Sequence, residues 1–545
     1  MSEKRYIEQV IEILHIDPQK VILKDQTESV TRQQLDELSG KVFTYLCDKG
    51  IGREDFVMVC LPRGVKAYIA QFGIWKCGAA MVLLENTVPA ERFKFIYADC
   101  SCKLCISSDN WEQIMQTPYS PGYVVADKHD AAFALYTSGS EGEPKGVLHE
   151  YGKLELCHKS LNIGGDKLLY ATDKIGVPLP LSATAAFVIT TAGFSIGTVV
   201  DVLPMEMVVN AEWMAEYVNA EKITITGLVP SMIMNNIISS PYIRYFVTGT
   251  EMSSGIYLEE YPIANFYGQT EVVMIPFSFV VDKLYDNTPI GKPTGICPVY
   301  VLDDKEEPVA EGETGELCYE NPYTRGFIND EPHTKDVFRN GLYHTGDIVR
   351  CQPDGNYVVV GRKSDMIKIN GNRIEPAEVE AAVKHVLGID WAFAKGYVEE
   401  GRSYICVYYK DSVTIDYAHL REELVKLLPL YMIPTYLIHI DRIPRLPNGK
   451  VDRKALQAPR IEDFKTTYTA PCNRLEERLC TVIAQILKLD KVGVNDDFFF
   501  LGGDSVKTIQ LISELGIDDL AVQDIYSGRT PRKIADCWLK KQLLR

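Results

Sequence analysis

The chain has 545 residues, with 57 Lys+Arg against 74 Asp+Glu, a formal net charge of −17, and 46% hydrophobic residues. The acidic balance argues against a general nucleic-acid binder, which presents a basic face, and no run approaches the ~18 apolar residues of a membrane-spanning helix. The length allows roughly three or four domains of ordinary globular composition. The opening Met1-Ser-Glu-Lys-Arg-Tyr-Ile-Glu8 lacks the apolar core of a secretory signal. Fourteen cysteines without framework spacing suit a reducing compartment. The expectation is a cytoplasmic protein with neither a membrane nor a nucleic-acid partner.

Residues 1–130 alternate helical and strand patterns. Thr31 to Cys47 carries an apolar stripe at Leu35, Leu38, Val42, Phe43 and Leu46, opened by a capping-type threonine. Phe56–Leu61 reads as a strand and Val65–Cys77 as a helix, which together predict an α/β domain with a largely parallel sheet. Cys100-Ser-Cys102-Lys-Leu-Cys105 supplies three sulfurs but no obvious fourth ligand for structural zinc, and also reads as a strand.

The apolar Ala131–Tyr136 predicts a buried strand, and it runs into Thr137-Ser-Gly-Ser-Glu-Gly-Glu-Pro-Lys-Gly146. Gly139, Gly142 and Gly146 free the backbone so that amide groups can converge on an anion. Thr137, Ser138 and Ser140 add hydroxyls, and Lys145 adds a positive charge. That chemistry suits a polyphosphate, although the Walker spacing is absent and an ordinary Gly/Ser surface loop has the same composition. Strands recur at Val199–Leu203, Ile223–Leu228 and Tyr245–Thr248.

Beyond Gly361 the texture changes. Met366–Ile369 reads as a strand, followed by a turn at Asn370-Gly371, a helix Pro376–Leu387, a β-rich stretch at Tyr404–Tyr409 and a helix Tyr417–Leu428. This is a small α+β domain ending near Leu456. Pro459–Pro471 reads as a linker, and the remainder is helical in short pieces.

Several stretches in order resemble the adenylate-forming superfamily of acyl-CoA synthetases, luciferases and nonribosomal-peptide adenylation domains. They are Tyr136–Gly146, Asn265-Phe-Tyr-Gly-Gln-Thr-Glu271, Gly315-Glu-Leu317 with Arg325-Gly-Phe327, Tyr343-His-Thr-Gly-Asp347, Gly361-Arg362 with Lys368-Ile-Asn-Gly-Asn-Arg-Ile-Glu375, and Pro447-Asn-Gly-Lys-Val-Asp-Arg453. Asp496-Asp-Phe-Phe-Phe-Leu-Gly-Gly-Asp-Ser505 resembles the attachment site of a peptidyl or acyl carrier protein, where Ser505 receives phosphopantetheine at a helix start. Residues 471–545 hold 11 Lys+Arg and 11 Asp+Glu, a near-neutral balance that fits the peptidyl type. The resemblance implies a large α/β adenylation core over 1–361, a mobile α+β subdomain over 362–458, a linker over 459–470 and a four-helix-bundle carrier over 471–545.

It also implies ATP, Mg²⁺ and phosphopantetheine as cofactors, and a carboxylate that is first adenylated and then passed to the carrier thiol. By resemblance, Lys450 reaches the α-phosphate and the acid, Thr270 meets the α-phosphate, and Glu271 holds Mg²⁺. Asp347 accepts the ribose hydroxyls, Arg362 touches ribose and phosphate, and Tyr267, followed by Gly268, lies against adenine. Gly249-Thr250-Glu251 meets adenine through the main chain. Lys368, Gly371 and Arg373 lie on a loop that swings in for thioester formation, with the hinge just after Arg362 near Ser364.

Three departures stand out, the first being Ser364 at a hinge position that is usually acidic. Glu141 follows Ser140 where a second hydroxyl residue is usual. Ser182, in Leu181-Ser-Ala-Thr-Ala-Ala-Phe187, falls where α-amino-acid-activating domains hold the ammonium with an aspartate. The remaining pocket positions map to Ala183, Ala186, Gly227, Phe246, Thr248, Phe266, Met274 and Ile275, an apolar set in which an unpaired ammonium would cost several kcal/mol. The expectation is a self-loading initiation enzyme for a small aryl or other apolar carboxylic acid, modified by a phosphopantetheinyl transferase and serving a downstream synthetase or condensing enzyme in trans. The alternatives are an α-amino-acid-activating didomain, a free acyl-CoA ligase and a non-catalytic carrier protein.

Overall fold

The computed structural model describes the chain except for residues 1–3, 138–142, 164–165, 209, 228–238, 250–255, 286, 364–366, 370–371, 375, 390, 400–401, 411–416, 445–454, 460–466, 504, 518 and 544–545. Two compact units form, the first chiefly from residues up to Ser364 and the second chiefly from Asp365 onward.

In the first unit, one sheet of six strands has the order Thr324–Phe327, Lys145–Glu150, Ala131–Thr137, Ala80–Leu83, Phe56–Cys60 and Leu104–Ser107, parallel over the last four. A nine-stranded sheet is parallel from Ile263–Tyr267 through Tyr245–Thr248, Ile225–Gly227, Lys174–Val177 and Val199–Val202 to Val21–Lys24, with antiparallel strands beyond each end. Its sixth parallel strand closes at long range, with Leu23 in register with Val200. Helices cover these sheets as the apolar periodicity predicts. Arg32–Asp48 starts on a capping box in which Thr31 accepts from the Gln34 amide, and it buries Leu35, Val42 and Leu46. Val65–Lys76 is buried on nearly every side, in keeping with its mostly apolar sequence, and it buries Lys76 against Asp36.

The run Cys100–Cys105 is not a strand throughout. The helix Ala90–Asp99 ends there, Ser101 takes a left-handed φ of 50°, and the strand begins at Leu104. The buried Cys100 thiol donates to the Ile96 carbonyl (2.8 Å) and lies 3.1 Å from the Cys102 sulfur, so two of the three sulfurs close a helix terminus.

A third sheet was not foreseen. Val299–Leu302, Thr314–Glu320 and Leu342–Cys351 pair antiparallel, and both Phe338–Arg339 and Tyr357–Arg362 join the last of these. It carries Asp347.

The second unit opens with the hairpin Ile367–Ile369/Asn372–Ile374. Its helices Pro376–Leu387 and Tyr417–Leu427 bury Val379, Val383, Leu420 and Leu424 with Ile405 and Val407 of a three-stranded sheet. Four further helices, Arg474–Leu487, Ser505–Leu515, Val522–Gly528 and Pro531–Leu543, close on Leu479, Ile483, Phe498, Leu511 and Ile525. Each such side chain contributes about 1.5–3 kcal/mol on full burial. Within this unit Phe500 stacks on Tyr436 (centroids 5.3 Å apart), and the Arg421 guanidinium lies over Phe499 and Tyr526.

Candidate adenylate site and carrier serine

The strand Ile263–Tyr267 delivers Tyr267-Gly-Gln-Thr-Glu271 at the carboxyl ends of the parallel strands, where α/β sheets bind ligands. Tyr267 donates its hydroxyl to Asp347 Oδ2 (2.5 Å), and Gln269 Nε2 donates to the same oxygen (2.8 Å). Tyr343 in turn donates to Gln269 Oε1 (2.5 Å), which sets the amide orientation. The Asp347 amide donates to Thr345 Oγ1 (3.0 Å), and that hydroxyl donates to the Leu317 carbonyl (2.8 Å). Asp347 is therefore a buried carboxylate fixed from both its main chain and its side chain. Gln269 and Tyr343 were missed as members of this constellation, although both stand inside the motifs quoted above.

Thr270 Oγ1 lies 2.9 Å from Thr184 Oγ1, which opens the helix Thr184–Ile196 directly after Ser182 and Ala183. Glu271 is 2% exposed, and its carboxylate is the hard oxygen donor that Mg²⁺ takes. Thr137 pairs with Lys145 across the antiparallel strands Ala131–Thr137 and Lys145–Glu150. Lys145 Nζ reaches Asp330 Oδ2 (2.8 Å), and Asp330 caps the helix Glu331–Val337. Burial works against ionisation of Asp330, but Lys145 and the His333 amide outweigh it and hold the carboxyl below its usual range. Ser138, Gly139, Ser140, Gly142 and Glu141 lie outside the described residues.

Gly249 has φ +143°, and a Cβ there would stand 1.7 Å from the Phe266 carbonyl oxygen. Only glycine allows the two main chains to approach this closely. Gly249→Ala is expected to lower the melting temperature and to cut ATP–pyrophosphate exchange by about tenfold or more, by displacing the strand that carries Phe266 and Tyr267; exchange kinetics beside a thermal melt check it. Thr250 and Glu251 lie outside the described residues. So do Lys450, Ser364 and Gly371.

Arg362 ends the strand Tyr357–Arg362 in register with Asp347, and Lys368 pairs with Arg373 in the hairpin of the second unit. Ser505 is the first residue of an 11-residue helix. The turn before it is tight: a Cβ on Gly503 would meet the Phe498 ring at 2.3 Å, and the Gly503 amide donates to the Phe498 carbonyl (2.8 Å). A helix start favours a phosphodiester.

Five of the nine pocket positions lie in or against two clusters. Ala186, Phe266 and Ile275 share one buried core with Val247 and Ala264, and Ala183 packs against it. Met274 lies in another with Tyr267 and Phe277. Strand alternation turns Phe246 and Thr248 to the face opposite Val247, with Phe246 edge-on to Tyr261. Gly227 has room for a Cβ, whose nearest neighbour would be Leu179 at 3.7 Å. The turn at Leu181 and half-buried Ser182 is pinned by the Leu181 amide donating to Glu85 Oε1 (3.0 Å).

Among the described residues one trio, Glu316, Cys318 and His344, has metal-ligand geometry. Lys363 Nζ stands 3.1 Å from Glu316 Oε2, already supplying the positive charge a cation would bring. Burial would raise the Glu316 pKa, but His344, Lys363 and the Gly346 amide outweigh it and hold the carboxyl low. The trio orders the turn at Thr345-Gly346-Asp347.

With this geometry in view, residues 14–326 match the profile of the AMP-binding enzymes, and residues 477–538 that of the phosphopantetheine attachment site. Bacitracin synthase 1 of Bacillus licheniformis is 30% identical over 561 residues, covering 96% of this chain and 10% of that protein. Gramicidin S synthase 1 of Brevibacillus brevis is 27% identical over 538 residues, covering 91% of this chain and 48% of its own length. The chain thus spans less than half the length of these relatives. In fold it is similar to a holo nonribosomal-peptide-synthetase protein containing adenylation and PCP domains, with a TM-score of 0.79 at 19% identity, covering 98% of this chain and 96% of that one. It is also similar to the o-succinylbenzoate CoA synthetase of Bacillus subtilis, with a TM-score of 0.74 at 20% identity, covering 84% and 99%. Among the described residues no helix is long and apolar enough to cross a membrane.

Proposed function

Because this chain belongs to the AMP-binding enzymes and carries a phosphopantetheine attachment domain, we propose that it activates a carboxylic acid with ATP and loads the acid onto its own carrier. The observation that carries the reading is the presence of both domains in one chain, with Tyr267, Thr270 and Glu271 at the end of a parallel strand, Asp347 hydrogen-bonded to Tyr267 and Ser505 at a helix start. The acid's carboxylate oxygen attacks the α-phosphorus of ATP, and pyrophosphate leaves. Positioning and charge do most of this work, as phosphoryl-type transfers require. Asp347 holds the ribose, Thr270 and Lys450 contact the α-phosphate, and the serines and Lys145 of the phosphate loop hold the tail. Glu271 fits Mg²⁺, which would neutralise the triphosphate charge. The arm on Ser505 supplies the thiol that takes the acyl group as AMP leaves, with Lys368 on the loop serving that step.

For the substrate we infer an aryl or other apolar acid without an α-ammonium. Ser182 offers no negative charge, and Ala183, Ala186, Phe266 and Ile275 are apolar. The relatives are peptide synthetases, so an α-amino acid is the competing reading. A phosphopantetheinyl transferase installs the arm, and the thioester passes to a downstream synthetase or condensing enzyme.

Intact-protein mass spectrometry on the phosphopantetheinylated chain, given ATP, Mg²⁺ and aryl, alkyl or amino acids one at a time, tests both levels. A mass gain with an aryl or alkyl acid is expected. Loading by a common α-amino acid alone would replace the substrate reading and keep the activity. No pyrophosphate exchange with any acid, together with no ATP binding by calorimetry, would sink the activity itself.

A further inference from the structure

Against the Thr270–Glu271 run stand four polar side chains that the proposed chemistry does not use, His149 and Lys153 buried and Asn321 and Thr324 half-buried. His149 is fully buried on the strand Lys145–Glu150, stacked on Phe133 (centroids 4.9 Å, 25° between planes), which itself packs on Phe187. Its Nε2 is 2.9 Å from the Thr270 carbonyl oxygen and its Nδ1 is 3.0 Å from Thr324 Oγ1. Burial first, and then the Lys153 ammonium, push its pKa well below the ordinary histidine range, so the ring is neutral. A carbonyl can only accept, so the single ring proton sits on Nε2 and the Thr324 hydroxyl donates to Nδ1. Alongside, Asn321 Nδ2 donates to the Glu271 carbonyl (2.7 Å), while its Oδ1 accepts from Lys153 Nζ (2.6 Å). Lys153 is itself fully buried in the helix Tyr151–Lys159. Two successive main-chain carbonyls thereby each accept from a side chain, His149 on a strand and Asn321 in a loop.

Resting on the reading that Thr270 and Glu271 contact MgATP, we propose that His149 and Asn321, the latter oriented by Lys153, are positioning residues that hold the main chain at Thr270–Glu271 so that the Thr270 hydroxyl and Glu271 carboxylate are set for the metal-bound triphosphate. A buried donor to a carbonyl is costly to lose because the acceptor stays buried and unmatched. Preorganised polar groups lose effect steeply when their support loosens.

The test is calorimetric binding of magnesium α,β-methylene-ATP and, separately, of AMP, to the full chain and its His149→Leu, His149→Gln, Asn321→Ala and Glu271→Ala variants. His149→Leu is expected to weaken the magnesium triphosphate analogue by about tenfold, roughly what one buried hydrogen bond is worth, and to weaken AMP by less, about threefold, because AMP offers its α-phosphate to Thr270 but carries no metal-bound tail. His149→Gln keeps a donor toward the Thr270 carbonyl and restores most of the loss. Asn321→Ala acts on the neighbouring carbonyl and shows the same selectivity for the triphosphate, so it carries the test if His149→Leu does not fold. Unchanged analogue binding in His149→Leu and Asn321→Ala, or an equal loss for AMP, overturns the proposal while a weakened Glu271→Ala keeps the underlying reading. Unchanged binding in Glu271→Ala removes that reading and the proposal with it.

Discussion

Ser505→Ala is expected to abolish every covalent mass gain on the chain, first the phosphopantetheine arm and then the acyl group, while pyrophosphate exchange stays within about twofold of the parent. The two effects separate because the site at Tyr267, Thr270, Glu271 and Asp347 belongs to the first unit, and Ser505 opens a helix of the second. Ser505 is the first helical residue, and alanine is the best helix former. The four-helix core on Leu479, Ile483, Phe498 and Leu511 is untouched, so the carrier still folds. Intact mass after transferase treatment, read beside exchange, gives both halves from one preparation. An acylated mass in the variant would mean that the acid is held elsewhere, and would end the self-loading proposal.

Asp347→Ala is expected to lower kcat/KM for ATP in the exchange reaction by about a hundredfold or more. The proposed contacts from two ribose hydroxyls to an ionised carboxylate are hydrogen bonds of about 1.5–3 kcal/mol each. Part of the loss comes from within, because the Tyr267 hydroxyl and Gln269 amide both point at Asp347 Oδ2 and would be left buried without it. A melt will show that part as a lower transition temperature. A ligand pair isolates the rest: the parent should prefer ATP to 2′-deoxy-ATP, and Asp347→Ala should not distinguish them. Retained discrimination would place the ribose contact on another residue.

The sequence and the structure agree most closely where the information is local. Thr31 reads as a helix cap and the helix Arg32–Asp48 follows, with Gln34 completing a capping box. The period of Pro376–Leu387 and the strand ending at Ile369 are equally visible, whereas its partner Asn372–Ile374 is not. The runs Asn265–Glu271 and Tyr343–Asp347 were each readable as motifs, but their junction was not. Tyr267 and Asp347 are 80 residues apart, and only the fold brings them to 2.5 Å. The antiparallel sheet around Leu342–Cys351 stayed hidden for a related reason. Its segments are short and interrupted by Asp303-Asp-Lys-Glu-Glu-Pro308 and by glycines, and its pairing partners are tens of residues distant. His149 carried no signal in the sequence, because its meaning lies in the carbonyl of Thr270, 121 residues on. Cys100–Cys105 failed in the opposite sense: an alternating pattern of small and apolar residues suggested a strand where a helix was ending.

The register of Leu23 with Val200 carries a consequence for how the polypeptide is made. One edge of Val21–Lys24 is satisfied at once by its hairpin partner Ser29–Thr31, but the other must wait for Val199–Val202 to be synthesised. At about 5–20 residues per second on the ribosome, that edge stands open for roughly 9–35 s. An open apolar edge is a template for pairing with another nascent chain. Topologies dominated by such distant pairings also fold slowly. Yield on overexpression should therefore respond to growth temperature and to chaperone supply more than to any change in the mature site, and the damage would be done before the carrier helices have left the ribosome.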